Sequence, residues 1–434
     1  MSARGLLVRG AAEVATLAGG LRRGSAQGDA AVLAAAVDPL VACWEGRILA
    51  AGPGAEVRAR LAGDGLDEAR FEILDAAGCT VTPGLIDPHT HLLFGGTREG
   101  EWRLRQAGAG YLEILASGGG ILSTVAATRA ASSEELLAHG RRWLAEMLSH
   151  GVTTIEAKSG YGLDTATELR LLEVADRLSG EGPIEIVPTF LGAHAVPAED
   201  RGVPDGTELY VRRVIEEQIP AVARQHIARY CDVFCERGVF DADQSRRILL
   251  AGAEAGLRPR LHADELAPSG GAELAAELGA ASADHLAAPS PEGIAALARA
   301  AEEGRPVVAT LLPATGLVLM NEHEGPARTF IERGVPVALG TDFNPGTSPT
   351  PNLQLVLSLA MLRLKLTAAE ALAGVTVNAA HALGLGATHG ALEPGRAADL
   401  VVWGVPSHEQ LAYWLGADLV RTVVKRGEVV FGRS

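Results

Sequence analysis

Gly84-Leu85-Ile86-Asp87-Pro88-His89-Thr90-His91 is a short apolar run that ends in two histidines one residue apart. The apolar part has the composition of a buried strand. In an extended segment residues i and i+2 point to the same side, so both histidines can face a single ligand. Parallel barrels assemble their active sites from side chains at the ends of their strands. This stretch is therefore the first indication of the fold.

The region around this stretch alternates short apolar runs with helical stretches. We predict eight strands, which end near His91, Ser159, His194, Arg237, Asp264, His285, Pro313 and Asp342. Helical segments follow most of them, for example at Ser133–Ser149, Thr165–Leu178 and Asp241–Ala255. Strand and helix in eightfold alternation predict a closed, TIM-like (β/α) barrel of the α/β class. A doubly wound open sheet is the alternative, which the lack of a G-x-G-x-x-G loop after the first strand weakens.

Both ends of the chain read as short strands and turns. Residues 40–50 predict a hairpin around Glu45-Gly46, and residues 399–403, 420–424 and 429–431 predict further strands. Two β-rich ends on either side of the barrel region suggest one small β-sandwich domain formed by both chain termini. We expect residues 1–80 and 395–434 to form this domain, and residues 81–394 to form the barrel.

The composition limits the classes of partner and compartment. The formal net charge is -15, so the chain has no electrostatic reason to bind nucleic acid or an anionic membrane surface. The four cysteines include no C-x-x-C pair, which indicates a reducing compartment without a disulfide framework. Neither a signal-peptide pattern nor an apolar stretch long enough for a membrane span occurs. We therefore expect a cytoplasmic protein.

Three of the predicted strand ends carry residues that bind metals. His89 and His91 follow the first strand, His262 ends the fifth and Asp342 ends the eighth. Three imidazoles and a carboxylate suit one divalent ion, Zn²⁺ or Fe²⁺, whose natural identity this pattern leaves open. A lone H-x-H is weak evidence for a metal site. The plainer alternative is that these are hydrogen-bonded histidines in loops.

A metal of this kind would serve to activate water, whose reaction also needs a proton acceptor and a proton donor. Three residues stand at positions suited to acid–base work: Glu265, which lies three residues beyond His262, His285, which ends the sixth strand, and Asp342. The sequence does not apportion the roles among them. Glu265 could equally be a carboxylate at a helix start, and His285 a hydrogen-bonded strand-end histidine.

Several longer stretches resemble the imidazolonepropionase family of the amidohydrolase superfamily, over the range from about residue 43 to residue 431. Residues 81–91 are general to the superfamily. The more specific stretches are residues 94–99, 158–163 and 341–347, with further similarity at residues 189–194 and 261–265. Two-metal members often use a modified lysine on the fourth strand. Residues 231–237 contain no lysine and Lys158 ends the second strand, so we expect one metal.

The resemblance implies hydrolysis of the ring amide of 4-imidazolone-5-propanoate to N-formimidoyl-L-glutamate, with His89, His91, His262 and Asp342 as metal ligands. It also implies a homodimer and a small anionic heterocycle as substrate. The residues implied to contact the substrate are Arg98, Tyr161, His194, Glu265, Asn344, Gly346 and Thr347.

The chemistry of these residues agrees with such a substrate. Arg98 offers a bidentate cation for the propionate, Tyr161 stands between two glycines that let the backbone approach a ligand, and His194 could polarise a carbonyl oxygen. Each residue also has a purely structural interpretation: Arg98 as part of a surface ion pair, Tyr161 as an ordinary loop tyrosine and His194 as a hydrogen-bonded histidine at a strand end. Two other functions stay open: a deaminase of an aromatic N-heterocycle on the same scaffold, and a barrel without catalysis.

Overall fold

The computed structural model describes residues 5–108, 119–320 and 324–432. Residues 1–4 and 433–434, which the predicted small domain includes, lie outside the described residues. In chain order the strands are β1 (Gly5–Arg9), β2 (Glu13–Ala15), β3 (Val32–Ala34), β4 (Pro39–Trp44), β5 (Arg47–Pro53), β6 (Phe71–Asp75), β7 (Thr80–Pro83), β8 (Leu85–Asp87), β9 (Val152–Lys158), β10 (Glu185–Ala193), β11 (Tyr230–Cys235), β12 (Arg258–Ala263), β13 (Ser282–His285), β14 (Val308–Leu311), β15 (Val337–Leu339), β16 (Leu400–Trp403), β17 (Val420–Lys425) and β18 (Glu428–Gly432).

In the same order the helices are α1 (Gly54–Gly63), α2 (Glu99–Gln106), α3 (Ile121–Ala130), α4 (Ser133–Ser149), α5 (Thr165–Glu181), α6 (Gly206–Arg213), α7 (Ile219–Gln225), α8 (Ala242–Glu254), α9 (Gly271–Leu278), α10 (Pro291–Glu302), α11 (Pro313–Val318), α12 (Ala327–Glu332), α13 (Leu353–Leu364), α14 (Ala368–Gly374), α15 (Val377–Ala382) and α16 (Glu409–Tyr413). Among the described residues, none of the helices combines the length and the apolar character needed to cross a membrane.

Strands β8 to β15 form one parallel sheet in which each strand pairs with the next along the chain. Sequential order without a reversal confirms the predicted barrel and excludes the doubly wound sheet. The predicted helices are also present. Helix α4 has the predicted bounds and begins at a capping box of Ser132 and Glu135, and α5 continues three residues beyond its predicted end at Leu178.

The first and last barrel strands end earlier than predicted, at Asp87 and Leu339 rather than near His91 and Asp342. Pro88 has no N–H to donate, so regular pairing stops there. Irregular backbone bonds close the barrel beyond that point: the amide of Asp342 donates to the His89 carbonyl (3.0 Å), and the amide of His91 donates to the Phe343 carbonyl (2.9 Å). The other predicted strand ends lie within two residues of the observed ones.

The two chain ends combine into two sheets, in the orders β5-β4-β1-β6 and β18-β17-β16-β7-β2-β3. Leu6, Val41 and Cys43 of the first sheet share an apolar cluster with Val81 and Val402 of the second, as in a β-sandwich. The predicted hairpin is present, and Glu45 and Gly46 in its turn both have positive φ (50° and 76°), as a type I′ turn requires. The sandwich of both termini is confirmed, whereas the exact domain boundaries stay a prediction.

Part of the N-terminal segment, for which the sequence suggested no role, lies against the start of strand β15. The side chain of Gln27 is fully buried; its amide donates to the Val337 carbonyl (2.9 Å), and its oxygen accepts from the Val337 amide (3.1 Å). The amide of Arg22 donates to the side chain of Asn378 on α15 (2.9 Å). The Gln27 side chain thus bonds to both backbone groups of Val337, the first residue of the strand, and Asn378 also donates to the Val337 carbonyl (2.8 Å). The segment therefore covers the end of the barrel opposite the histidines.

Candidate active site

The four predicted metal ligands converge at the barrel seam. His262 Nε2 lies 3.4 Å from His91 Nε2, and Asp342 Oδ1 lies 3.5 Å from Nε2 of both His89 and His91. All four side chains are buried. Among the described residues, three overlapping groups have ligand atoms close enough to share an ion: His89, His91 and His262; His89, His285 and Asp342; and His89, Glu156 and Asp284, of which only the first two include predicted ligands besides His89. His285, predicted as an acid–base residue, is thus close to the same position.

The electrostatics of this cluster favour a bound cation. Burial lowers the pKa of His91 well below its usual value and also lowers the pKa of His262, so both rings are neutral with their Nε2 atoms facing each other. Burial and the charge of Lys158 lower the pKa of His89, but Asp284 outweighs them and raises it to about 9. His89 Nε2 has no hydrogen-bond partner among the described residues. A divalent ion would satisfy these nitrogens together, so the residues fit a metal.

Hydrogen bonds on the far side of two rings fix which nitrogen faces the cluster. Asp284 Oδ2 lies 2.7 Å from His89 Nδ1, and Asp232 Oδ1 lies 3.1 Å from His262 Nδ1. A carboxylate accepts the Nδ1–H, which leaves Nε2 as the ligand atom. Thr315 donates to Asp342 Oδ2 (2.7 Å), which leaves Oδ1 toward the histidines.

Several residues of the site have left-handed backbone conformations. Asp342, His285 and Asp264 have φ of 53°, 72° and 50°. Such conformations cost energy for non-glycine residues and persist where the surrounding structure enforces them. Asp264 shows how: its carboxylate accepts from the amides of Ser269, Gly271 and Ala272, which orders the loop that carries Glu265.

Glu265 and His285, which the sequence predicts as acid–base residues, lie side by side in the site. Burial, together with the charges of Asp342 and Glu236, raises the pKa of Glu265 to about 8. Burial lowers the pKa of His285 well below its usual value. His285 Nδ1 lies 3.7 Å from Glu265 Oε2. Glu265 can therefore hold a proton near neutral pH, where an ordinary carboxyl group is ionised.

The cavity next to the predicted metal ligands is lined by most of the residues that are predicted to contact the substrate, and also by Ile121 and Phe234. The predicted residues in its wall are Arg98, Tyr161, His194, Glu265, Asn344 and Thr347. Arg98 is buried and forms a bidentate ion pair with Glu101 (2.9 and 2.8 Å). Arg105 also contacts Glu101 (3.3 Å), so two guanidinium groups share this carboxylate. A guanidinium group in the cavity wall suits an anionic substrate group.

A buried carboxylate orders the loop that carries Tyr161. Glu168 accepts from the amides of Gly160, Gly162 and Leu163 (2.9, 2.8 and 2.8 Å). His194 Nδ1 lies 3.0 Å from the Gly160 carbonyl, which can only accept, so Nδ1 carries the hydrogen. Burial and His262 lower the pKa of His194 to about 3, so its Nε2 is an acceptor. This state suits a substrate N–H, whereas the predicted contact with a carbonyl oxygen would require a protonated ring.

The amino-acid sequence of the chain is similar to those of known proteins over almost its whole length. It is 52% identical to the imidazolonepropionase of Geobacillus kaustophilus (strain HTA426) over 98% of each chain. It is 48% identical to the imidazolonepropionase of Bacillus velezensis (strain DSM 23117 / BGSC 10A6 / LMG 26770 / FZB42), over 96% of this chain and 94% of the other. The chain belongs to the imidazolonepropionase family. Residues 265–430 also match the Amidohydrolase family.

Several solved structures share the fold of this imidazolonepropionase family member, although fewer than a quarter of their residues are identical to those of this chain. An adenosine deaminase from Xanthomonas campestris with bound zinc has a TM-score of 0.68 at 18% identity, over 98% of this chain and 93% of the other. A 5-methylcytosine deaminase from Klebsiella pneumoniae has a TM-score of 0.70 at 16% identity, over 99% and 98%. These likenesses support the barrel with its attached sheets.

In the loop after Asp342, the side chain of Asn344 forms hydrogen bonds within the loop itself. The Asn344 side chain donates to the Asp342 carbonyl (2.6 Å) and accepts from the amides of Gly346 (2.8 Å) and Thr347 (2.7 Å), so it shapes the loop. Gly346 lies behind Arg98, where a Cβ would collide with the guanidinium group. Its lack of a side chain makes room for Arg98, and the predicted substrate contacts of these residues stay predictions.

Sequence reasoning missed the charged residues beneath the histidines of this imidazolonepropionase family member. Glu156, Lys158, Asp232, Arg260 and Asp284 are all buried inside the barrel. The available signal was charge within the strands: Glu156 and Lys158 are two residues apart in β9, so they face the same side. From the sequence, Lys158 stands out only as a lysine in the wrong place to bridge two metals.

Proposed function

We propose that the chain hydrolyses the ring amide of 4-imidazolone-5-propanoate to N-formimidoyl-L-glutamate, a step of histidine degradation. The observation that carries the proposal is the identity of 52% over almost the whole length of an imidazolonepropionase. Family membership makes the chain a hydrolase of a cyclic-amide C–N bond. In the reaction, the oxygen of water joins the ring carbonyl carbon, the bond from that carbon to the ring nitrogen breaks, and the nitrogen gains a proton.

The residues that would hold the metal are His89, His91, His262 and Asp342, with His285 close to the same position. When bound, a divalent ion supplies Lewis acidity that makes water nucleophilic near neutral pH. Zn²⁺ and Fe²⁺ both suit this donor set, so we propose one ion of either kind.

Glu265 is the residue we propose for proton transfer. A carboxyl group whose pKa is raised to about 8 exchanges its proton at working pH, so it can take a proton from the attacking water and return it to the leaving ring nitrogen. His285 lies 3.7 Å from that carboxyl group, while Asp342 is held by Thr315. Arg98 would bind the propionate, and His194 would accept a ring N–H.

The test is turnover of 4-imidazolone-5-propanoate by the purified chain, followed as loss of the ring chromophore before and after treatment with a chelator. We expect metal-dependent turnover. His262→Ala should lose metal and activity together, since this ring is one of the ligands. Full metal content in that variant would contradict the ligand assignment, and an inert wild-type chain with metal bound would contradict the substrate.

The same assay distinguishes the proposed hydrolysis from the second candidate function, deamination of an aromatic N-heterocycle. A deaminase would release ammonia from a purine or pyrimidine and leave the ring closed. The likeness to deaminase structures concerns the fold alone, because the identities are 18% and 16%. The buried Arg98 favours an anionic substrate instead.

We further propose that the protein is a cytoplasmic homodimer without nucleic-acid partners. The acidic net charge of -15 supports the last point, and the resemblance to the family supports the dimer. Sedimentation velocity at micromolar concentration would show one species of twice the chain mass of 45.0 kDa. A single species of chain mass would contradict the dimer.

A further inference from the structure

A network of five buried charged side chains lies directly beneath the metal-ligand cluster. Lys158 is at its centre: its Nζ lies 2.6 Å from Asp232 Oδ2, 2.8 Å from Glu156 Oε2 and 3.6 Å from Asp284 Oδ2. None of these side chains is exposed to solvent. Charges this deep in a protein are tolerated only when they are paired and hydrogen-bonded.

Arg260 is the second cation of the network. Its Nη2 lies 3.0 Å from Asp284 Oδ2, and its Nε lies 3.2 Å from Glu156 Oε1. It also donates to the carbonyl of Pro88, next to the ligand His89 (2.8 Å). Two cations therefore neutralise two of the three carboxylates of the network.

Two of the three carboxylates face metal ligands as well as the cations. Asp232 contacts Lys158 through Oδ2 and His262 through Oδ1. Asp284 contacts both Arg260 and His89 through Oδ2. Each aspartate thus holds an imidazole with its Nε2 toward the cluster, while a cation beneath holds the aspartate. The chain of contacts runs from Lys158 through Asp232 to His262.

The charges of the whole buried assembly balance when a divalent ion is present. The assembly holds four carboxylates, which are Asp342 and the three of the network, against the two cations Lys158 and Arg260. With an ion bound, His89 would have released its proton and the histidines would be neutral, so the side chains would carry a net charge of two negative, which one divalent ion would cancel. Removing one cation would leave an unbalanced negative charge in a region closed to solvent, and that is costly.

We propose that Lys158 is a positioning residue for the metal centre. Its ammonium group fixes Asp232 as the acceptor for His262 and sets the charge of the assembly to match a divalent ion. This inference rests on the metal site of the proposed function. It gives a role to the one buried lysine of the barrel strands that the hydrolysis itself does not use.

The experiment compares two lysine variants of the full chain. Lys158→Met removes the central cation with little change in volume. Lys425→Met is the matched control, because Lys425 is also buried and bonded to a carboxylate (Asp399, 2.7 Å), but in the sandwich sheet and not in this network. Zn²⁺ affinity would be measured by competition with a chromogenic chelator, and ligand geometry by the visible spectrum of the Co²⁺-loaded chain.

We expect Lys158→Met to weaken Zn²⁺ binding by about 10- to 100-fold, as loss of outer hydrogen-bonded partners does at other metal sites, and to shift the Co²⁺ spectrum. Lys158→Arg should restore part of the affinity. Lys425→Met should lower thermal stability yet keep the wild-type affinity and spectrum. A purely structural role for Lys158 would lower stability without moving either metal readout.

Wild-type affinity and spectrum in a folded Lys158→Met variant would overturn the proposal. If that variant does not fold, Asp232→Asn takes its place: it keeps an oxygen for His262 and removes the charge that Lys158 holds. Weakened Zn²⁺ binding then supports the proposal, and unchanged binding overturns it. A wild-type chain that binds no Zn²⁺, Fe²⁺ or Co²⁺ would instead contradict the proposed metal site, so the two failures are distinguishable.

Discussion

Replacing Arg98 by methionine should weaken substrate binding while the chemical step is nearly unchanged. Arg98 lines the cavity, and its charge suits the propionate. A contact made equally to substrate and transition state changes KM and leaves kcat alone. The expected effect is therefore confined to KM.

The size of the effect follows from the contacts. A hydrogen-bonded charged contact contributes about 1.5–3 kcal/mol, and each 1.4 kcal/mol is a factor of ten. KM should rise roughly 10- to 150-fold. Glu101 would lose its bidentate partner but keep Arg105 at 3.3 Å and the amide of Gly120 at 2.7 Å. The loss of folding stability should therefore stay below the roughly 3–5 kcal/mol of a buried charge left without any partner.

The assay is steady-state hydrolysis of 4-imidazolone-5-propanoate and of its analogue with a neutral side-chain amide in place of the carboxylate. The wild-type chain should prefer the acid by the same factor that Arg98→Met loses on it, and the variant should treat both substrates alike. Adding Glu101→Gln to Arg98→Met should not recover KM, because the cation that binds the propionate stays absent.

Two results would refute this reasoning. One is an equal loss on the acid and on the neutral analogue, because Arg98 would then act on the shape of the loop and not on the carboxylate. The other is a fall in kcat with KM unchanged, which would move the contribution of Arg98 to the transition state. Melting temperatures of all variants check that folded chains are being compared.

Three further predictions concern stability. A hydrogen bond from His389 outweighs burial and, with Lys425, lowers the pKa of Glu185 to about 2. The ionised carboxylate therefore stabilises the fold fully above the unfolded pKa, and this contribution is lost as the pH falls toward 2. Glu185→Gln should accordingly reduce the fall of melting temperature at acid pH. Gly46→Ala should cost about 1 kcal/mol in thermal unfolding, because φ is 76° in its turn, whereas Gly100→Ala, in open space on a helix, should not destabilise. A chelator should lower the melting temperature and Zn²⁺ restore it, with a binding contribution of about 2.7 kcal/mol at a hundredfold excess over Kd; an unchanged melting temperature would contradict a bound metal.

The barrel was predictable because its signals are local. Alternating apolar runs and helical segments gave the eight strands, and the Ser132 capping box marks the start of α4 in the sequence itself. The outer strands were the exception: β8 and β15 end at Asp87 and Leu339. Where the barrel closes, pairing depends on backbone groups from opposite ends of the sheet, and no local pattern reports how they meet.

The side chains of the site were predictable in kind but not in state. The sequence named Arg98 as a cation, and its partner Glu101 is only three residues away, but the burial of this pair in the cavity wall depends on tertiary packing. It named His194 as a carbonyl partner, yet the Gly160 carbonyl fixes the opposite tautomer. Tautomers, pKa values and ion pairs follow from three-dimensional neighbours, which a single sequence does not specify.

By itself the sequence determined the barrel and the sandwich of both termini, because the residue pattern of a strand is local. It also named His89, His91, His262 and Asp342 as candidate metal ligands from their places at strand ends. Only the tertiary structure decided that Lys158, Asp232 and Arg260 meet beneath these ligands, since each comes from a separate strand and their pairing depends on barrel closure. A buried charged side chain is stabilised by the groups that surround it in space, and here those groups are distant in the sequence.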